Sequence, residues 1–327
     1  MDTTFVDPPD ASASHIRGAP HVVLLHGFPD TYRTWHSLSL TLQQNNFNAH
    51  TPMLPGYDPQ SRPGSLTLED IAAALHRYLH ERNITSCHLI GHDWGSVIVQ
   101  SFTLAYSSYN IMSLTLLAIP FNFMHNALSN PKQITLSRYM IRMQNSNAQH
   151  RLLNEDWLES LVDTWSDWSS SRQARDDLVD NVRATFEAGN CVDHAVQYYR
   201  TNVALDSILV KTALGVLGLL IDSYAWPLLS YFIACLPSAI LASLISHHPA
   251  ASRLSDVASL PSRAIMMVGG RDDGCCDVGQ FEAMRGFGAR VEIVEQAGHW
   301  MHLEREAEVA ALILDHIQRK MKMKKQC

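Results

Sequence analysis

Gly91-His92-Asp93-Trp94-Gly95 is the stretch of sequence that decides the fold. The apolar residues 87–90 precede it, and the uncharged, mostly apolar residues 96–105 follow it. This order predicts a strand, a tight turn and a helix. In such a turn, the middle of the three residues between the flanking glycines points its side chain out above the edge of a parallel sheet. We therefore predict an α/β fold that presents Asp93 at the sheet edge.

A carboxylate in this turn determines which chemistry is open to the protein. Asp93 can attack a carbon atom by displacement and form an alkyl ester, whereas a serine at the same place would form an acyl-enzyme. Epoxides and alkyl halides react by such displacement, and simple esters gain little from it. The pattern thus predicts a hydrolytic enzyme that acts on an electrophilic carbon.

Two later strand ends supply an acid and a histidine. Residues 263–268 form an apolar run that ends in the turn Gly269-Gly270-Arg271-Asp272-Asp273-Gly274, and residues 290–294 lead into His299. The chain order is therefore nucleophile, acid, histidine, each just past a strand. Doubly wound sheets place their sites beyond the C-terminal ends of the strands. We expect the acid and His299 to meet Asp93 there.

The first predicted strand, residues 21–25, leads into His26-Gly27-Phe28-Pro29. A backbone N–H from this loop, at Phe28, together with the N–H of Trp94 would form an oxyanion hole beside Asp93. We expect Asp30 and Tyr32, which follow, to lie in a surface loop.

Taken together, these motifs resemble the α/β-hydrolase superfamily and, within it, the epoxide-hydrolase-like group. The resemblance extends over residues 20–106 and 261–317 and is weak between them. It includes the late segment Gly298-His299-Trp300-Met301-His302-Leu303-Glu304. The resemblance implies Asp93 as the nucleophile and His299 as the base that activates water.

The resemblance also helps to select the acid on the turn after the penultimate strand. The family spacing is Gly-x-x-Asp-Gly. Counted from Gly270, Asp273 fits this spacing better than Asp272 does.

The length of 327 residues suits one large α/β core with an insertion. We predict that residues 1–120 and 261–327 form the α/β-hydrolase core, with a mostly parallel sheet. Residues 121–260 are then an inserted helical cap, by analogy with the family.

Epoxide hydrolases resemble one another in using paired cap tyrosines to hydrogen-bond the oxygen that opens. Ala195-Val196-Gln197-Tyr198-Tyr199-Arg200 resembles the segment that carries one of them, at Tyr199. The segment that resembles the one with the second tyrosine is Ser137-Arg138-Tyr139-Met140-Ile141-Arg142-Met143-Gln144. Counted back from Gln144, the position of that tyrosine is occupied here by Arg142, and Tyr139 lies about one helical turn away. Either Tyr139 takes over, or one phenol suffices, or the reaction is different.

Residues 206–248 are longer and more apolar than a cap helix pair needs, and residues 223–246 contain no charge. Because Pro227 and Pro237 interrupt this stretch, we favour peripheral membrane contact or an apolar substrate tunnel over a spanning helix. Two buried cap helices are the simpler alternative.

Composition excludes several other classes of function. A net charge of −7 gives no basic surface, so we expect no nucleic-acid partner. The histidines and the six cysteines show no ligand spacing, so we predict no metal and no cofactor. Cys275 and Cys276 are expected to pack against the sheet. The N-terminus shows no secretory signal, and a cytoplasmic location is the default expectation.

The favoured function is the opening of a small apolar epoxide to a vicinal diol by water through an ester on Asp93. A haloalkane dehalogenase shares the aspartate and Trp94, but that family tends to carry a halide-binding asparagine where this chain has Phe28. A non-catalytic protein that binds apolar ligands is the third alternative. A pure binder, however, has no chemical need for nucleophile, acid and base together.

Overall fold

The computed structural model describes residues 3–10, 16–121, 123, 127, 130–203 and 265–324, and for residues 320–324 it describes the backbone alone. The apolar segment 206–248, with its predicted membrane or tunnel role, lies outside the described residues. Among the described residues, no helix is both long and apolar enough to cross a membrane.

A parallel sheet of six strands, in the order β2-β1-β3-β4-β5-β6, forms the centre of the described residues. Every pair of neighbouring strands is parallel. The predicted α/β class with a mostly parallel sheet is confirmed. The strands are β1 (His21–Leu25), β2 (Asn48–His50), β3 (Ser86–His92), β4 (Asn110–Leu117), β5 (Ile265–Gly270) and β6 (Arg290–Val294).

The register of the strands brings their C-terminal ends to one edge. Leu25 lies opposite Gly91, and His92 lies opposite Leu117. Gly270 likewise lies opposite Val294. The loops that follow β1, β3, β5 and β6 therefore open on the same side of the molecule.

Helices cover both faces of this sheet, because both faces are apolar. Successive residues of a strand point to opposite faces. Val23 and Leu89 accordingly belong to one buried apolar cluster, and Val22 and Ile90 belong to the other. We call the first cluster the cap-side core. It includes residues between 68 and 102 and residues of the helices that follow β4. We call the second cluster the far-side core, and it includes residues of 38–42 and 309–317. The core helices are α1 (His36–Gln44), α2 (Leu68–Glu81), α3 (Trp94–Ala105), α10 (Gly279–Glu282), α11 (Met301–Glu304) and α12 (Glu306–Lys324).

Helices also account for most of the described chain between β4 and β5. This matches the helical character predicted for the insertion, whereas its boundaries at 121 and 260 stay a prediction. Asn202 ties the end of this region to the core, since its side chain accepts from the Leu68 N–H at 3.0 Å and donates to the Leu66 carbonyl at 2.7 Å. The helices are α4 (Pro131–Leu136), α5 (Arg138–Met143), α6 (Ala148–Asn154), α7 (Trp157–Trp165), α8 (Arg172–Glu187) and α9 (Cys191–Asn202).

Candidate active site

Asp93 stands in the turn between β3 and α3 with φ 51° and ψ −117°, a backbone conformation that residues with a side chain rarely adopt. Two close approaches hold the turn. A Cβ atom on Gly91 would collide with the backbone of Gly95, and one on Gly95 would collide with the carbonyl of Leu25. The sequence pattern of glycines around the aspartate thus has a steric cause, and Asp93 is positioned before any ligand binds.

The two carboxylate oxygens of Asp93 have different surroundings. The backbone N–H of Phe28 donates to Oδ1 at 2.8 Å. Oδ2 lies 3.6 Å from Nε2 of His299. The loop after β1 therefore meets the aspartate as predicted. Oδ1 is held by a backbone donor, whereas Oδ2 faces the imidazole.

His299 lies between two carboxylates. Its Nδ1 is 3.0 and 3.2 Å from the two oxygens of Asp273, while its Nε2 faces Asp93. Burial on its own would lower the pKa of His299, but the charges and hydrogen bonds of Asp273 and Asp93 outweigh it and raise the pKa to about 10. In the resting site His299 is therefore an imidazolium.

The structure places Asp273, and not Asp272, at the histidine. Asp273 is buried, and its Oδ1 also accepts from the N–H groups of Cys275 and Cys276 at 2.6 and 2.9 Å. Asp272 is exposed. Cys275 and Cys276 are themselves buried, in line with the expected packing role.

Tyr139 and Tyr199 come together above Asp93, with ring centroids 5.7 Å apart. Burial, with Asp93 nearby, raises the pKa of each phenol well above its usual value. Both are therefore protonated hydrogen-bond donors at neutral pH. The Tyr139 hydroxyl lies 3.6 Å from the Cys275 sulfur. The Tyr199 hydroxyl is close to Tyr139 and Trp94, but within the described chain it forms no hydrogen bond of good geometry.

The sequence left open whether Tyr139 replaces the family tyrosine whose position Arg142 occupies, and the burial of the two side chains bears on this question. Both residues belong to the short helix α5. Tyr139 is buried in the tyrosine pair, and Arg142 is half-buried on the same helix. The geometry therefore favours Tyr139 as the second phenol.

Aromatic side chains form the walls around the Asp93–His299 pair. The Tyr199 ring lies 5.2 Å from the ring of Phe28 and 5.1 Å from that of Trp94. On the opposite side, Trp165 of the cap lies 5.0 Å from the ring of His299. The site is thus enclosed by apolar surfaces, which the sequence suggested only through the composition of the cap.

A cap segment also connects the acid turn to the histidine loop. The Trp165 carbonyl accepts from the N–H of His299 at 2.9 Å and from that of Gly274 at 3.2 Å. Next to it, the Ser166 hydroxyl donates to Glu304 at 2.7 Å. Glu304 in turn accepts from the N–H of Gly298 at 2.9 and 3.1 Å. We call Trp165, Ser166 and Glu304 the cap bridge. No sequence motif indicated it.

The prediction of a surface loop at Asp30 is wrong. Asp30 has no exposed surface and lies beside two other buried side chains, His92 and His302. It is buried because the loop after β1 packs against the end of β3 and the turn that follows, where Phe28 contacts Asp93 and Asp30 faces His92. Tyr32 is half-buried. The sequence offered no signal for this group, since its members are separated by up to 272 positions.

Two groups of side chains in the described chain have the donor atoms to hold a metal ion. One is Asp30, His92 and His302, and the other is Asp93, Cys275 and His299. In each group the three ligand atoms lie within 4.8 Å of one another. The second group contains Asp93 and His299, which face each other at 3.6 Å.

The sequence matches the Alpha/beta hydrolase family over residues 22–312. The chain therefore belongs to the α/β-hydrolase family.

Within that family the chain is similar to epoxide hydrolases, and the resemblance recognised in the sequence is confirmed. It is 36% identical to epoxide hydrolase 3 of Siraitia grosvenorii over 105 residues, which are 31% of this chain and 33% of that protein. It is 30% identical to epoxide hydrolase A of Mycobacterium tuberculosis over 106 residues, 32% of this chain and 33% of the relative. The aligned part spans about a third of the length of these relatives.

Solved structures support the fold. An epoxide hydrolase from Bacillus megaterium superposes with a TM-score of 0.64 at 17% identity, covering 91% of this chain and 93% of that one. An esterase from Exiguobacterium antarcticum gives a TM-score of 0.63 at 13% identity, covering 97% and 100%. Since neighbours with different chemistry superpose equally well, the reaction has to be argued from the site.

Proposed function

We propose that the protein hydrolyses an epoxide to a vicinal diol through a covalent alkyl ester on Asp93. One observation carries this proposal. At the position where a serine would form acyl-enzymes there is a buried aspartate, and its carboxylate lies 3.6 Å from an imidazole that is itself held by a second carboxylate. A carboxylate nucleophile with a base beside it suits displacement at carbon followed by ester hydrolysis.

In the first step, Oδ2 of Asp93 attacks an epoxide carbon, and the carbon–oxygen bond of the ring breaks. The oxygen that is released needs a hydrogen-bond donor in this buried site. Tyr199 and Tyr139 supply two phenols, whose raised pKa keeps them protonated. Phe28 holds Oδ1 during the attack, so Oδ1 becomes the carbonyl oxygen of the ester.

Ester formation also prepares the second step. When Asp93 becomes a neutral ester, His299 loses one of the two carboxylates that raise its pKa. The pKa then falls, and the imidazolium releases one proton, which balances the proton that the opened oxygen gains. Neutral His299 can then take a proton from water, and that water attacks the ester carbonyl. The negative charge develops on Oδ1, where the N–H of Phe28 already donates and where we place the N–H of Trp94 as the second donor. The bond between the Asp93 carboxyl carbon and Oδ2 then breaks, and Oδ2 leaves with the diol after taking the proton that His299 holds. The new Asp93 carboxyl group gives its proton to His299, which restores the resting site.

Dehalogenation is the alternative that shares the nucleophile. A halide leaves without a proton and needs polar donors around it. The Phe28 side chain instead packs against apolar and aromatic neighbours, including Phe186 at 6.0 Å between ring centroids. The phenol pair and this apolar wall favour an apolar epoxide as substrate.

The test is a single turnover of excess protein with styrene oxide in water labelled with oxygen-18. We expect the label in the Asp93 carboxylate, because water attacks the ester carbonyl. His299→Gln should form the ester and fail to hydrolyse it, so intact mass shows protein plus one substrate. Asp93→Ala is the control and should give no adduct. Label found only in the diol would mean direct attack of water and would refute the mechanism.

A further inference from the structure

A buried cluster beneath the nucleophile has no part in the proposed chemistry. It consists of Asp30 in the loop after β1, His92 at the end of β3 and His302 in α11. Asp30 and His92 have no exposed surface, and His302 is 5% exposed. Within the described chain, Oδ2 of Asp30 and Nδ1 of each histidine have no hydrogen-bond partner.

The position of one proton follows from the neighbours of His92. Its Nε2 lies 3.0 Å from the backbone carbonyl of His299. A carbonyl only accepts, so Nε2 carries the proton. In a neutral ring Nδ1 then presents a lone pair, and it faces Oδ2 of Asp30 at 3.4 Å. Two acceptors therefore point at each other.

His302 adds a third group of the same kind. Its Nε2 lies 2.6 Å from the Thr34 hydroxyl, which can act as acceptor as well as donor. With Thr34 as acceptor, Nε2 carries the proton, and Nδ1, which has no hydrogen-bond partner within the described chain, is available as a ligand atom. The other carboxylate oxygen of Asp30 accepts from the N–H of Thr31 at 2.7 Å.

One ligand atom of each residue lies within 4.8 Å of the other two, so a single cation placed between them can contact all three side chains. No lysine or arginine of the described chain forms an ion pair with Asp30, and an uncompensated buried carboxylate is costly. A single water molecule has only two protons to offer. An imidazolium at His92 would compensate Asp30 and leave His302 without a partner. A divalent cation serves all three atoms at once.

We propose that Asp30, His92 and His302 form a site for a divalent transition-metal ion, with Zn²⁺ as the preferred occupant. Two imidazole nitrogens and one carboxylate oxygen are a common set of zinc ligands. Ligand atoms about 2.0 to 2.2 Å from a tetrahedral ion lie about 3.3 to 3.6 Å apart, and Nδ1 of His92 is 3.4 Å from Oδ2 of Asp30.

The expected role of this ion is structural. Its ligands come from the three segments that carry Phe28, Asp93 and His299, so an ion would fix these segments to one another. Because a metal ion of this kind binds the folded chain and not the unfolded one, it raises the stability of the fold. The proposal does not depend on which reaction the site performs.

The test measures metal content and thermal stability. Protein produced in zinc-supplemented medium is dialysed against chelator, and its zinc is counted by mass spectrometry. We expect about one ion per chain, at least a tenfold loss of zinc in Asp30→Asn and in His302→Gln, and a lower Tm for both. His76→Gln, outside the cluster, and His299→Gln, in the other candidate group, should keep the ion.

Wild-type protein without bound zinc, whose Tm does not respond to added Zn²⁺, would overturn the proposal in favour of an imidazolium–carboxylate pair. Zinc that His299→Gln loses and His302→Gln keeps would also overturn it. If the cluster variants do not fold, X-ray absorption of the wild-type zinc protein decides. Nitrogen and oxygen ligands alone support the cluster, whereas a sulfur ligand assigns the ion to Cys275.

Discussion

Asp273 is the residue whose role rests most directly on geometry, because both of its oxygens lie within 3.2 Å of Nδ1 of His299. It fixes the ring so that Nε2 faces Asp93. We expect Asp273→Asn to slow ester hydrolysis by roughly 10²-fold or more, with a smaller effect on ester formation. The matched control is Asp272→Asn, which changes an exposed neighbour and should leave both rates nearly unchanged. Rapid-quench measurement of the adduct separates the two steps, and reversed effects would contradict the assignment.

The phenols can be tested against a third buried tyrosine. Tyr199→Phe should reduce the rate of alkylation by roughly 10²-fold, the usual scale for a positioned acid. Tyr139→Phe reports whether the second phenol shares the work. Tyr198→Phe is the control, since the Tyr198 hydroxyl donates to the Pro55 carbonyl at 3.0 Å, outside the pair. A twofold loss in both site variants, with activity retained, would remove the tyrosines from the mechanism.

The raised pKa of His299 predicts how stability depends on pH. In the folded protein the pKa is about 10, above the model-compound value of 6.5. The ion pairs of His299 therefore contribute stability that is fully present below pH 6.5 and is lost as the pH rises toward 10. We expect the free energy of unfolding of the wild type, relative to His299→Gln, to decrease over that range. Urea melts of both chelator-treated proteins check this. A constant difference would show that His299 is neutral.

Single residues could be predicted from the sequence where a local motif carries them. Asp93 directly follows β3, His299 lies in the loop after β6, and glycine spacing selected Asp273. Asp30 could not be placed, because its burial depends on how the loop after β1 packs against the end of β3 and the turn that follows. The role of Tyr139 in place of Arg142 depends on how α5 is oriented, which residue counting does not give.

At the scale of secondary-structure elements, the cap bridge joins α7 to the loop that carries His299. Glu304→Ala would leave the N–H of Gly298 and the hydroxyl of Ser166 without their acceptor. A buried donor left unsatisfied costs about 1 to 3 kcal/mol. We expect a lower Tm and a slower ester hydrolysis, with alkylation less affected, because the loop that positions His299 loses its support.

Glu304→Gln is the conservative partner of this variant. Its amide oxygen can still accept from Gly298 and Ser166, so hydrolysis should be largely restored relative to Glu304→Ala. A purely structural role predicts a different result, in which Glu304→Ala lowers Tm and the measured rates of both chemical steps stay equal to those of the wild type at low temperature.

Element boundaries show what periodicity can and cannot give. The run at residues 290–294 is β6 without change. Helix α1 at His36–Gln44 is preceded by a 3-10 turn at Tyr32–Trp35. Strand β4 begins at Asn110, because its pairing with β3 extends to the N-terminal side of the buried residues at 113–117. Pairing with a neighbour, which one segment alone does not reveal, sets such ends.

For the whole molecule, the sequence predicted the parallel sheet and the helical insertion because alternation of strand and helix is a local property. It could not predict that the cap shares one apolar core with the sheet. Phe186 and Trp165 of the cap belong to the same buried cluster as Leu89 and Ile98 of the core domain. The cap-side core thus includes the walls of the site, and the far-side core lies across the sheet from it.

This asymmetry predicts that two equally buried side chains differ in their effect on function. Phe186 packs 6.0 Å from the ring of Phe28 on the cap side, and Ile313 is buried in the far-side core. Phe186→Ala should lower the free energy of unfolding by about 3 to 5 kcal/mol and Ile313→Ala by about 2 to 5 kcal/mol, mainly through the cavity each leaves.

At a temperature where both variants remain folded, Phe186→Ala should also slow ester formation, because Phe28 then holds Oδ1 of Asp93 less firmly. Ile313→Ala should keep the wild-type rate. Equal losses of rate in both variants would mean that the sheet transmits packing defects to the site from either face.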